Sequence, residues 1–287
     1  MKNNLIILFL LLFNIHAFGE RAVPQRAVST AQFTTEILLA IGAEKQMVGT
    51  AYLDDEILPE LKESYERVPV LSKTAPSKEY FYQQNPDFLT GWNSIVTSKG
   101  LGSKEELEGN GVQVYLMKSQ NSNKIEDVYS DILALGKIFD LEKNSNEIVE
   151  NMKAEFQEVK SLLPKEQVKV FAYDSGENAP FIVGGTGIGN TLIEMAGGRN
   201  IFKDTKGSFV NGNWEEILFQ DPDYIIIVNY GNTSYEDKVN FLKTKSPLKD
   251  LKAVSENRFI KVNLSELSPG IRNLNTVRYL FEKLNGV

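Results

Sequence analysis

A chain of 287 residues with a formal net charge of −7 lacks the clustered positive charge that nucleic acids and anionic membrane surfaces select. It has no cysteine and a single histidine, His16, which excludes disulfides, thiol nucleophiles and cysteine-ligated metals. Once the segment holding His16 is removed, Ser-His-Asp and Cys-His catalysis, histidine-ligated zinc and a histidine axial ligand for haem are excluded too.

Residues 1–19 are expected to be a secretory signal peptide. Met1–Asn4 carry one positive charge, "LIILFLLLF" is an apolar core, and Ala17 and Gly19 place small residues before a cleavage point at Glu20. The alternative is an N-terminal membrane anchor, but nine apolar residues span only about half of a bilayer core. A lipoprotein would need a cysteine at the cleavage site. A soluble, periplasmic mature protein is therefore expected. Hydrophobic residues make up 42% of the chain, which is globular composition, and the length fits two domains.

From Arg26 onward short apolar runs alternate with helical stretches. "AVST" (27–30), "QMVGTA" (46–51), "VPVLS" (68–72), "FLTGW" (88–92) and "VQVYLM" (112–117) read as strands. Residues 33–43, 79–85 and 103–111 read as helices, the last capped by Ser103. This alternation predicts a parallel sheet with helices on its faces. The middle differs: 125–141 and 144–164 carry apolar residues at helical spacing, with one break near 140–145 and a stop at Pro164. They are either two ordinary core helices or a rigid connector. Alternation then resumes, with strands at 168–174, 224–230 and 258–263. Helices are expected at 189–198, ending in Gly197-Gly198, at 213–220, and at 268–284 with Pro269 near the first turn.

Three features bear on chemistry. "GGTGIGN" (184–190) has Asn190 where a P-loop needs Lys-Ser or Lys-Thr and where a dinucleotide fingerprint needs its third glycine, although Asp204 could serve as the acidic partner. It reads as a loop feeding a helix, or as a loop wall around a ligand. Aromatic and polar residues cluster where strands end: Tyr52, Trp92, Tyr173 with Asp174, and Tyr230, with Trp214 heading a helix. Ligands of open α/β sheets bind beyond the carboxyl ends of strands, so these aromatics are either core or the walls of a cleft. Finally, "EYFYQQNPDF" and "EEILFQDPDY" each place a glutamate, Glu79 and Glu215, seven residues before a Pro-Asp pair that opens an apolar run. A glutamate in a first helical turn meets the helix dipole favourably, but that does not explain the matched positions.

Together "AVSTAQFTTEILLAIGAEKQMVGTAYLDD", "PSKEYFYQQNPDFLTGW", the long mid-chain helix, "GNTLIEMAGGRNIF" and "GNWEEILFQDPDYIIIVNYG" resemble the bacterial periplasmic binding proteins for iron–siderophore complexes, haem and vitamin B12. The resemblance runs from about Arg26 to the C-terminus. It implies an α/β fold of two Rossmann-like lobes, 20–124 and 165–287, joined by one long α-helix at 125–164, with a ligand in a shallow cleft between them. It implies a monomeric transport protein, not an enzyme, with no cofactor and no metal ligands of its own. It also implies that Glu79 and Glu215 dock onto arginines of the two subunits of an ABC permease. Ligand-binding residues are expected at Tyr52, Trp92, Tyr173, Trp214, Tyr230 and Arg272, the last as the main cation. Relatives for bare zinc or manganese use histidines, which this mature chain lacks; haem would need Tyr or Met as axial ligand, or none. An iron chelate is the expected ligand, hydroxamate-like as readily as catecholate, with cobalamin or haem as alternatives. The rival from another class is a secreted carboxylate-dependent hydrolase using Asp174, Glu177 or Glu266.

Overall fold

The computed structural model describes residues 22–286; the expected signal peptide lies outside the described residues. The first sheet is built from β1 (Ala27–Thr30), β2 (Met47–Ala51), β3 (Val70–Ser72), β4 (Phe88–Gly91) and β5 (Gln113–Tyr115). Helices α1 (Gln32–Ile41), α2 (Lys62–Tyr65), α3 (Lys78–Gln83) and α4 (Lys104–Gly109) connect them. The strands lie in the order β3-β2-β1-β4-β5, and every neighbouring pair is parallel. The order reverses between β1 and β4, so the loops leaving these two strands diverge and open a crevice at their carboxyl ends.

Two helices follow, α5 (Ile125–Ile138) and α6 (Glu142–Leu162). The break between them falls at Asp140, whose φ of 58° is left-handed. A β-carbon on Gly136 would lie 2.0 Å from Ser145 Oγ, so only glycine lets the two helices approach this closely. The buried stripe of α6 runs Ser145, Val149, Met152, Phe156 and Val159, the 3–4 spacing of one helix face. At 1.5 Å per residue α6 spans about 32 Å. It packs against α1 and α5 on one side and later helices on the other, so it is the segment that crosses between the lobes.

The second sheet contains β6 (Val168–Ser175), β7 (Phe181–Val183), β8 (Gly198–Asn200), β9 (Phe209–Asn211), β10 (Tyr224–Asn229) and β11 (Phe259–Asn263). Its helices are α7 (Ile188–Met195), α8 (Trp214–Gln220), α9 (Tyr235–Thr244), α10 (Lys252–Ser255) and α11 (Asn273–Asn285). The order is β11-β10-β6-β7-β9, with β8 paired to β6. The β6, β8, β10 and β11 pairings are parallel, whereas β7 is antiparallel to β6 and β9. The sequence pattern does not announce β7, β8 and β9, each only three residues long. The Gly184–Gly187 stretch joins them by close approach: a β-carbon on Gly185 would sit 1.7 Å from Lys203 O, and one on Gly184 2.4 Å from Gly207 O. Two expected helix ends shift. Gly197 (φ 88°) turns the chain and Gly198 begins β8. Pro269 lies ahead of α11, which starts only at Asn273.

One apolar cluster joins the two halves. It contains Ile37 and Leu38 of α1, Val128 and Ile132 of α5, Met152 and Phe156 of α6, Leu192 of α7, and Val277 and Leu280 of α11. A protein with a shared core unfolds as a unit. In urea, far-UV circular dichroism and tryptophan emission will therefore trace one coincident transition. Met152→Ala will shift that transition by about 2–5 kcal/mol without splitting it; two separate transitions would show that the lobes hold independent cores.

Candidate functional site

A cleft of about 330 Å³ opens between the two sheets. From the first lobe it is lined by Tyr52 and Asp54 beyond β2, Trp92 and Ser94 beyond β4, and Ser119 and Gln120 beyond β5. The second lobe contributes Asp174 at the end of β6, Phe181 and Phe209 from β7 and β9, and Tyr230 beyond β10. The head of α7 (Gly187–Gly189) and Leu264, Leu267 and Pro269 beyond β11 complete it. The "GGTGIGN" segment thus ends in the wall of this cleft. Its Asn190 side chain is turned inward, accepting from Asn200 Nδ2 at 3.0 Å.

Buried side chains hold each wall from behind. Asp131, 2% exposed, accepts from Lys118 N (3.1 Å), Ser119 N (2.8 Å), Ser119 Oγ (2.6 Å) and Tyr115 Oη (2.7 Å). That fixes the turn presenting Ser119 and Gln120. Gln120 in turn accepts from Asn93 N and donates to Gly91 O, both at 3.0 Å, which sets the loop carrying Trp92. The Trp92 ring stands edge-on to Phe33, with centroids 4.8 Å apart. Gln32 Oε1 accepts from Asp54 N (2.9 Å) and Asp55 N (2.8 Å). Tyr52, just before them, has a φ of 61°, a left-handed setting that a non-glycine residue keeps only where its surroundings over-determine it.

On the opposite wall, Lys238 of α9 is 2% exposed and donates to Val228 O (2.7 Å) and Tyr230 O (2.9 Å). Its ammonium lies 3.6 Å from Asp174 Oδ1. Burial raises the Asp174 carboxyl above its ordinary range, with the Lys238 charge opposing the rise. Burial, with the charge of Asp55 added, pushes Asp54 up to about 6. Tyr230 is raised by burial and then by the Asp54 charge. Among the described residues the lining thus includes two carboxylates, one from each lobe, and no lysine or arginine.

Three expected cleft residues lie elsewhere. Side chains alternate along β6, so when Asp174 faces the cleft Tyr173 must face the other side of the sheet. There Tyr173 is 2% exposed and packs on Trp214 (5.9 Å) and Phe241 (6.4 Å). Trp214 sits on the inner face of α8 in the same cluster, with Nε1 donating to Glu177 O at 3.1 Å. Arg272, 8% exposed, forms a two-pronged pair with Glu36, Nε to Oε2 at 2.8 Å and Nη2 to Oε1 at 2.6 Å. It is no cleft cation. Tyr52, Trp92 and Tyr230 do line the cleft. Asp174 was legible as a polar end to an apolar strand, but as an acid; Asp54 carries no local signal. The carboxylates of the hydrolase reading are not brought together. Glu177 lines a separate hollow behind Tyr173, and Glu266 closes a capping box on Asn263.

The repeated Glu–Pro–Asp device is a matched piece of architecture. Asn85 and Asp221, just before the prolines, have φ of 46° and 47°. Asp87 accepts from Gln25 N and Arg26 N at 2.8 and 2.9 Å, and its own N–H donates to Arg26 O. Asp223 accepts from Lys169 N at 2.7 Å and donates to Lys169 O. Arg26 Nε reaches back to Asn85 O (2.9 Å), and Lys169 Nζ to Gln220 O (2.7 Å). In each lobe the Asp pins the start of the central strand, and a cation at that start, Arg26 just before β1 and Lys169 as the second residue of β6, reaches the end of the helix that precedes the Pro-Asp pair. Glu79 and Glu215 occupy the same place in this unit, second in helices capped by Ser77 and Asn213. Both are exposed, and neither forms an ion pair among the described residues. Each helix starts beyond the carboxyl end of a strand, on the cleft side.

A periplasmic binding protein of Veillonella parvula has a solved structure that superposes with a TM-score of 0.88 at 32% identity, covering 93% of both chains. An ABC-type Fe3+-hydroxamate transport protein from Saccharomonospora viridis shares the fold at a TM-score of 0.75 and 18% identity, covering 92% of this chain and 94% of that one. The vitamin B12-binding protein of Yersinia pestis is 20% identical over 216 residues, which is 75% of this chain and 73% of that protein. The family profile described as "Periplasmic binding protein" matches residues 28–263, most of the two-lobed structure, and the chain belongs to the periplasmic binding protein family.

Proposed function

We propose that this protein captures an iron chelate of zero or positive net charge in the cleft between its lobes and delivers it to an ABC permease. One observation carries the choice of charge: among the described residues the walls carry Asp54 and Asp174, one from each lobe, and no lysine or arginine. A polyanionic catecholate complex, or the two propionates of haem, would face like charge without a partner, and like-charge juxtaposition costs several kcal/mol. The aromatic and aliphatic remainder of the wall suits the organic shell of a hydroxamate-type chelate. A corrinoid is the second reading, favoured by the curated relatives described as vitamin B12-binding proteins. The protein works in the periplasm as a soluble monomer after removal of segment 1–19.

The test of the cleft is a calorimetric titration with a cationic ferric trihydroxamate, a trianionic ferric tricatecholate and a neutral corrinoid. The trihydroxamate or the corrinoid will bind, and the tricatecholate will bind at least about a hundredfold more weakly, roughly 3 kcal/mol. Preference for the tricatecholate would overturn the reading.

The pH dependence has a definite sign. In the free protein Asp54 titrates near 6 because burial, and then Asp55, disfavour its charged form. A cationic ligand favours that charged form and lowers the value. Affinity for the cationic chelate will therefore rise as pH goes from about 5 to about 7, and binding near pH 6 will expel a proton. Asp54→Asn will flatten the profile and lower affinity at pH 7 about fivefold to tenfold, near 1 kcal/mol.

Glu79 and Glu215 are the docking contacts of the two lobes, supported by their equal position, their exposure and the absence of an ion pair to either side chain among the described residues. Glu79→Lys with Glu215→Lys will leave ligand affinity intact and abolish uptake, with intermediate loss for either change alone. The wild-type complex with the permease will weaken with salt, since screening acts over about 8–10 Å at 0.10–0.15 M. Normal uptake by the double variant would leave these residues as helix-end charges only.

A further inference from the structure

The segment from Tyr52 to Leu58, which carries Tyr52 and Asp54 of the cleft wall, is bonded to both lobes and has almost no regular structure of its own. Three buried side chains dictate its path. Gln32 Oε1 takes the N–H groups of Asp54 and Asp55, and Gln32 Nε2 donates to Glu56 O at 3.2 Å. Glu36 Oε1 takes the N–H of Leu58 at 3.2 Å and is tied to Gln32 Nε2 at 3.3 Å. Arg272, entering from the second lobe, holds both oxygens of Glu36 and also donates to Glu56 O at 2.6 Å. A second inter-lobe bond closes the set: Asp55 Oδ2 accepts from Ser265 N at 3.1 Å.

Adhesion between lobes does not require this arrangement. A buried ion pair is no more stabilising than well-packed apolar residues of the same volume, because both charges lose their water. The Glu36 and Arg272 side chains are only 1% and 10% exposed. What a forked, two-pronged pair supplies is direction: it fixes one lobe at a single angle to the other. None of Gln32, Glu36 or Arg272 lines the cleft, yet the segment they hold carries Tyr52, in its left-handed setting, and Asp54.

We propose that Glu36 and Arg272 are positioning residues for ligand recognition: their inter-lobe pair holds the Tyr52–Leu58 segment in the one conformation that presents Tyr52 and Asp54 to the cleft. The inference rests on the reading of this cleft as the ligand site, and it accounts for the only arginine expected in the cleft being placed behind its wall.

The test compares the wild-type protein with Glu36→Leu/Arg272→Met, which removes both charges, and with Arg272→Lys, which keeps the charge and loses the fork. Three quantities are read: the thermal midpoint, amide hydrogen exchange across 52–58 without ligand, and affinity for the ferric trihydroxamate and the corrinoid. The double variant will keep its midpoint. Its segment 52–58 will exchange at least tenfold faster, with other protected segments unchanged, and the probe bound by the wild type will bind at least tenfold more weakly. Arg272→Lys will fall between, and it carries the same readouts if the double variant does not fold. A folded variant with wild-type exchange in 52–58, or with faster exchange and unchanged affinity, overturns the proposal. If the wild type binds neither probe, the proposed ligand class fails, and the exchange rates alone decide for or against the pair.

Discussion

Two largely parallel sheets present four faces, and a parallel sheet must be covered on both. The constraint that governs this molecule is that the two inner faces are covered by one common layer of helices. Residues from α1, α5, α6, α7 and α11 enter a single apolar cluster, so neither sheet has a private set of helices on that side. The crevice between the lobes therefore has a floor that belongs to both. The carboxyl ends of β1, β2 and β4 face those of β6 and β10 across it, and the cleft is where the loops leaving these strands fail to meet.

The polar chemistry follows the same economy. Two basic groups, Lys238 and Arg272, are withdrawn behind the cleft wall, each neutralised by an acid and by main-chain carbonyl oxygen. The carboxylates of Asp54 and Asp174 stay in front.

The fold was largely legible because its signals are local. "YIIIVNY" is apolar throughout, as a strand buried on both faces must be, and α6 repeats its apolar residues at helical spacing up to Pro164. The antiparallel corner was not, since β7, β8 and β9 are three residues long and owe their place to glycine-permitted contacts with distant backbone. Of the expected cleft residues, Tyr52, Trp92 and Tyr230 follow strands and line the cleft by that fact. Tyr173 failed by one residue, which in a strand is the difference between opposite faces. Trp214 was on the inner side of a helix, and Arg272 was claimed by Glu36, a partner 236 residues away that no local pattern could reveal.

The common helical layer also fixes when the molecule can finish folding. Its members are spread from α1 near the start of the described chain to α11 at its end, so the first sheet keeps an uncovered inner face until α6 is available, and the layer closes only when residues 273–285 arrive. Folding domain by domain during synthesis, the usual course for two-lobed chains, is closed to this one.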